Sequence, residues 1–178
     1  MAITKDVNGV RVNGGNDSQI YYGGGWKSFG NILTATIEDI TDSQEITFAD
    51  GDSVDIDGKR KVKVAQSLAQ TTKEVLDLVD VLRYGKYPVQ LDCGEVNISG
   101  VRKRQYIYIP AFNVIPKMSL KFPDSPISLM LEGTAEKQAT PVSITIGTTN
   151  LPGNLEDSAP VTYTSLNNYY LIYEQTIS

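Results

Sequence analysis

From Ile32 onward, short runs in which apolar and polar residues alternate one for one recur along this chain, and a period of two is the signature of strands with one buried face. Leu33-Thr34-Ala35-Thr36-Ile37 alternates apolar residues with threonine; Ile46 and Phe48 share a face, as do Val54 and Ile56, then Val62 and Val64. After Pro88 the rhythm resumes in Val89, Leu91 and Cys93, in Val96 and Ile98, and in Tyr106 and Tyr108 set against Ile107 and Ile109. Ile127, Leu129 and Leu131, then Val142, Ile144 and Ile146, continue it, and Val161–Tyr163 and Tyr169–Tyr173 read as aromatic strands. Asp50-Gly51 and Asp57-Gly58 read as hairpin turns, and Arg102-Lys103-Arg104 as a basic turn. Half-buried strands must cover their apolar face with another sheet or close on themselves. The expected class is mainly β, a β-sandwich or barrel-like fold of two packed antiparallel sheets, in a single domain spanning residues 1–178.

The period changes once. Thr71 and Glu74 stand at capping-box spacing, and Val75, Leu78, Val79 and Leu82 follow at i, i+3, i+4 and i+7, with Leu76 and Val81 widening the stripe. Gly85 offers a stop and Pro88 forbids resumption. This predicts one flanking helix at 72–84 that packs its apolar face on the sheets. Residues 1–30 are rich in Gly, Asn and Ser, and read as a hairpin or an N-terminal arm that orders on a partner, anchored by Trp26 and Phe29. Residues 147–160 read as a long loop.

The residue types present exclude much chemistry. The chain contains no histidine, hence no His-based triad, general base or metal site. Its one cysteine, Cys93, forms no intramolecular disulfide and sits in an alternating run without a nearby base in sequence, which reads as a buried structural thiol. With 16 Lys+Arg against 21 Asp+Glu the formal charge is −5, a poor balance for neutralising phosphate backbones. The run Asp50 to Gly58 carries Asp50, Asp52, Asp55 and Asp57, but calcium-loop spacing fails from either Asp50 or Asp55. A carboxylate-only glycosidase would need two acids facing across a cleft, and the sequence names no such pair. No catalytic residue, cofactor or metal ligand is therefore expected, and no enzyme. The N-terminus lacks the basic and apolar regions of a secretory signal, and no window approaches the ~20 apolar residues of a membrane span. Folding in the cytoplasm, with no membrane partner, is the expectation.

Two charged features are candidate subunit contacts: the acids Asp50, Asp52, Asp55 and Asp57, and the cations Arg102, Lys103 and Arg104, which could dock on the acidic run of a neighbouring copy. Ten Tyr against four Phe and one Trp suit sheet packing or an interface, with carbohydrate stacking a third reading that no cluster of Trp supports.

A mainly β domain with one helix and no catalytic constellation suggests an assembly protein, and residues 32–136 resemble a phage-type tail tube subunit. The likeness is carried by the strand pair around Asp50-Gly51 and Asp57-Gly58, the charged strand Lys59–Val64, and the approach Ala65–Leu78 into the helix. Val114–Phe122 followed by Ile127–Ala135 is similar to the strand–turn–strand ending of many tube subunits. The resemblance implies two packed sheets with one helix, hexameric rings whose sheets join edge to edge into an inner barrel, and stacking into a tube that conducts DNA or an injected cargo. It also implies a virion protein made in the host cytoplasm. Its partners would be itself and other tail proteins, with DNA only as passing cargo. Another β-rich tail or head-completion protein, and a non-assembling glycan- or protein-binding β-domain, are the alternatives.

Overall fold

A computed structural model describes residues 10–176 apart from 15–16, 48, 50–52, 69–71, 99, 120–127, 147–150 and 152–160. The described residues form ten strands and one helix. In chain order these are β1 (Val10–Gly14), β2 (Asp17–Tyr22), β3 (Gly25–Thr47), β4 (Ser53–Leu68), α1 (Lys73–Val81), β5 (Lys86–Ile98), β6 (Val101–Ser119), β7 (Ser128–Ala135), β8 (Ser143–Thr145), β9 (Thr162–Thr164) and β10 (Leu171–Thr176). The mainly β class with a single helix is the one the alternation predicts.

The pairings close on themselves. β2 pairs β3, β3 pairs β4, β4 pairs β7, β7 pairs β6, β6 pairs β5, and β5 returns to β2 through Ser18↔Leu91 and Ile20↔Val89, every pair antiparallel. The result is a six-stranded closed barrel. Residues 17–30, expected as a hairpin or arm, form the β2–β3 hairpin, and Ile20 and Phe29 are buried in the core. The turn falls at Gly23-Gly24, both at positive φ, where a side chain would be strained. Asp57-Gly58 is not a turn: β4 runs through it, at a shift of register where Thr41 pairs Arg60 but Ser43 pairs Asp57. A bulge there absorbs the kink that the dipeptide signals.

The core is where the alternation places it. Val62, Val64 and Leu68 on β4, Val89 and Leu91 on β5, Ile109, Phe112 and Val114 on β6, and Leu129 and Leu131 on β7 are all buried in one cluster. One residue in this set breaks the pattern. Gln66 is fully buried, and neither end of its side-chain amide has a hydrogen-bond partner. An unpaired buried amide loses its hydration without replacement. Gln66→Met, of similar length and without polar ends, is expected to stabilise the subunit by roughly 1–3 kcal/mol. A rise in the urea midpoint at unchanged slope would verify this.

The helix joins this core through Val75, Val79 and Leu82, with Leu76 and Leu78 partly buried against it. It is shorter than the predicted 72–84. Thr72, not Thr71, is the N-cap, extended at φ −67 and ψ 156, with no side-chain capping bond. Val81, expected on the apolar stripe, is exposed. The stop differs as well: Tyr84, not Gly85, takes the left-handed conformation, at φ 62. Its N–H donates to Val114 O at 3.0 Å while Gly85 O accepts from Val114 N at 3.0 Å, so the turn prolongs the β5–β6 ladder.

A second, smaller cluster lies outside the barrel. The β8–β9 sheet packs Val142, Ile144 and Ile146 with Leu171 and Tyr173 of β10. Tyr106 stacks on Tyr173 at 5.2 Å between centroids, and Tyr163 lies 5.6 Å from it. Tyr173 Oη donates to Gln90 Oε1 at 2.9 Å, and burial pushes its hydroxyl pKa far above the usual phenol range. These C-terminal tyrosines are thus core residues, with their hydroxyls satisfied internally.

Candidate assembly surfaces

Two strands do more than build the barrel. β5 uses one edge for two partners, β2 at residues 89–91 and β1 at 94–97. β6 likewise pairs β7 from Phe112 onward and β10 over Lys103–Tyr108. Beyond the barrel, therefore, stands a four-stranded antiparallel sheet in the order β1-β5-β6-β10, with Arg11↔Val96, Val96↔Lys103 and Lys103↔Thr176 in one row. Among the described residues no strand pairs the outer edge of β1 or of β10. The two outer strands run in opposite directions, because three antiparallel steps separate them.

Arg102, Lys103 and Arg104 belong to this sheet. They lie on β6 itself rather than in a turn, and each has an acid of its own subunit. Arg102 pairs with Glu95, Arg104 with Asp92, and Lys103 Nζ stands 3.5 Å from Glu174 Oε2. Strand geometry explains the split: Arg102 and Arg104 share one face with the acids of β5, and Lys103 faces the other side. The hydrogen bond to Asp92 raises the Arg104 guanidinium pKa above its usual value. These cations act first as cross-strand ties.

Of the acidic candidates, Asp50 and Asp52 lie outside the described residues. Asp55 and Asp57 are on β4, paired in register with Glu45 and Ser43. They belong to a second surface. From Asp39 to Thr47 on β3 and from Ser53 to Lys61 on β4, these strands pair only with each other among the described residues. At ~3.3 Å per residue this ribbon extends about 30 Å from the wall. The sequence indicates the strand pair turning at Asp50-Gly51 but not its reach beyond the wall, since residues 41–45, Thr-Asp-Ser-Gln-Glu, carry no apolar alternation. A lone two-stranded ribbon is marginal in water.

The described residues contain no group of three or more His, Cys, Asp or Glu able to hold a metal ion. A groove of about 380 Å³ on the outer wall, lined by Glu38, Lys61, Lys63, Ile115 and Glu132, mixes both signs of charge. Cys93 is half-buried rather than buried, with its sulfur 3.9 Å from Leu91 O. No described helix is long and apolar enough to cross a membrane. Comparison with protein-family models and with curated protein sequences returned no match.

Proposed function

We propose that this chain is a self-assembling structural subunit, a tail-tube-type protein whose copies join into rings and stack as a conduit. The observation that carries the reading is the β1-β5-β6-β10 sheet, at whose outer edges no strand pairs among the described residues. Unpaired edges are templates for another chain. With four strands and opposed outer directions, β10 of one copy meets β1 of the next in antiparallel sense. The alternation is then kept around a closed head-to-tail ring of any number of copies. The ribbon adds support, since a hairpin this long gains stability when a neighbour covers it. The closed barrel behind the sheet supplies a body that holds both edges in place. The virion setting, the hexameric count and the DNA cargo come from the family resemblance.

Proline at successive positions of β10 tests the reading. Along an antiparallel strand the backbone N–H points alternately to the partner and away. Single proline substitutions at Ile172, Tyr173, Glu174 and Gln175 are thus expected to fall into two classes. Tyr173 and Gln175 are buried, so proline at either costs stability whichever way its N–H points. At Ile172 and Glu174, outside that core, proline leaves the fold intact where the N–H points outward and then removes an outward donor. Wild-type protein at high concentration is expected to form rings by sedimentation and negative-stain microscopy, and the well-folded proline variants to remain monomeric. Rings formed equally by every folded variant would exclude the β10 edge as the joint.

A further inference from the structure

The two candidate surfaces meet at one cluster of side chains. Where the ribbon leaves the barrel, the pairing shifts between Thr41 and Ser43, with two steps on β3 against three on β4. Such a bulge bends and twists the strands that carry it, so the register alone leaves the ribbon's direction to its surroundings. Arg60 lies on the barrel side of the bulge. Its guanidinium grips both carboxylate oxygens of Asp39 on the opposite strand, with Nε 2.8 Å from Oδ1. The same guanidinium lies over the ring of Tyr169, 5.2 Å from its centroid.

The aromatic half of the cluster comes from far along the chain. Tyr169 Oη donates to Arg60 O at 3.0 Å, and Tyr170 Oη donates to Asp39 Oδ2 at 3.3 Å, across 109 and 131 residues. Tyr169 and Tyr170 immediately precede Leu171, the first residue of the edge strand β10. They are themselves held firmly. Asn167 Oδ1 accepts from the N–H groups of Tyr169 and Tyr170 at 2.8 and 2.9 Å. Asn167 O accepts from Val142 N, and Asn168 and Gln138 exchange two bonds. Hydrogen bonding from Arg60 also holds the Asp39 carboxyl below its ordinary pKa, as expected of a settled pair.

From this geometry we infer that Asp39, Arg60, Tyr169 and Tyr170 form a clamp that sets the ribbon's direction against β10, so that the two surfaces are presented in one fixed relation. These are positioning residues. The bidentate pair fixes β3 to β4 just before the bulge, and the two tyrosines fix that point to the start of the edge strand. A ribbon about 30 Å long turns about ten degrees at its base into about 5 Å at its tip. The clamp concerns the same surfaces as the ring reading, but its test is made on the dilute monomer and stands apart from ring formation.

The test is the distance between two spin labels in a Cys93→Ser background, one at Ala49 in the ribbon turn and one at Ser143 on β8, both exposed. The clamped protein is expected to give one narrow distance distribution by pulsed electron resonance. Arg60→Met, and separately Tyr169→Phe with Tyr170→Phe, are expected to broaden it at least twofold. Amide exchange at 39–47 and 53–61 should speed up on the order of tenfold in both, with β7 exchange unchanged to certify the fold. The phenylalanine variant keeps both rings, so it guards against an Arg60 variant that fails to fold. A distribution already broad in the parent, or one unchanged in the folded variants, would overturn the clamp. Broadening in a protein that never forms rings would keep the clamp and remove the tube.

Discussion

Gly133→Ala is expected to cost the subunit at least about 3 kcal/mol, the upper end of the overpacking range, for the addition of one methyl group. Gly133 is on β7 opposite Val114 of β6. A β-carbon built on it would stand 1.8 Å from the Asn113 carbonyl oxygen, 2.9 Å from the Asn113 carbonyl carbon and 2.8 Å from Cε2 of Phe112. The phenylalanine ring could shift, but the carbonyl belongs to a strand paired on both edges and cannot move without breaking the β6 ladder. Because β6 and β7 are both walls of the closed barrel, the strain has no edge at which to relax. A loss of this size is a large part of the ~5–15 kcal/mol that holds a typical domain together. Urea unfolding followed by circular dichroism would show it as a large fall in midpoint or as failure to fold. Gly25→Ala is the control: a β-carbon there meets nothing within 4 Å and the backbone is not left-handed, so the change should stay within about 0.5 kcal/mol. A Gly133→Ala protein within 1 kcal/mol of the parent would mean that β6 and β7 separate at little cost.

Leu82→Ala is expected to destabilise the subunit by about 2–5 kcal/mol, through lost burial and the cavity left behind. Leu82 is the C-cap of α1, fully buried, and belongs to the same cluster as the barrel interior. The surrounding strands belong to a closed wall and have little freedom to collapse onto the space. Leu78, which the sequence places on the same stripe, is only partly buried, so Leu78→Ala should cost under about 2 kcal/mol. The contrast between the two leucines reads the helix's rotation directly. Equal losses at both sites would mean that the helix presents a different face.

Ion pairing in this subunit contributes mainly geometry. Lys73–Asp77 and Arg83–Asp80 are exposed pairs on and just after the helix, where solvent screens the attraction. Those of β6 tie neighbouring strands of a sheet that has no barrel to close it. This explains why the basic run falls where it does better than an exposed turn would.

The strands, the one helix, the absence of histidine chemistry and the apolar faces were all legible in the sequence. Each is a local property: a period of two or 3.6 repeats within a few residues, and a missing side chain is missing in any fold. The inward set Val62, Val64, Leu129 and Leu131 follows from alternation alone. Three features were not legible. Pairing partners depend on residues tens of positions apart, so neither the closure of β5 onto both β2 and β6 nor the double use of β6 by β7 and β10 is written in any window. Turn dipeptides misled where tertiary pairing overrode them: Asp57-Gly58 carries a bulge inside a strand, and Tyr84 takes the left-handed conformation beside an available Gly85, because its N–H bonds to β6. The clamp was invisible for the same reason, since Asp39 and Tyr170 meet across 131 residues, and only the closed wall and the packed β8–β9 layer bring them within reach. Local periodicity determined which residues are buried; the long-range ladder decided what they are buried against, and which strand edges were left open.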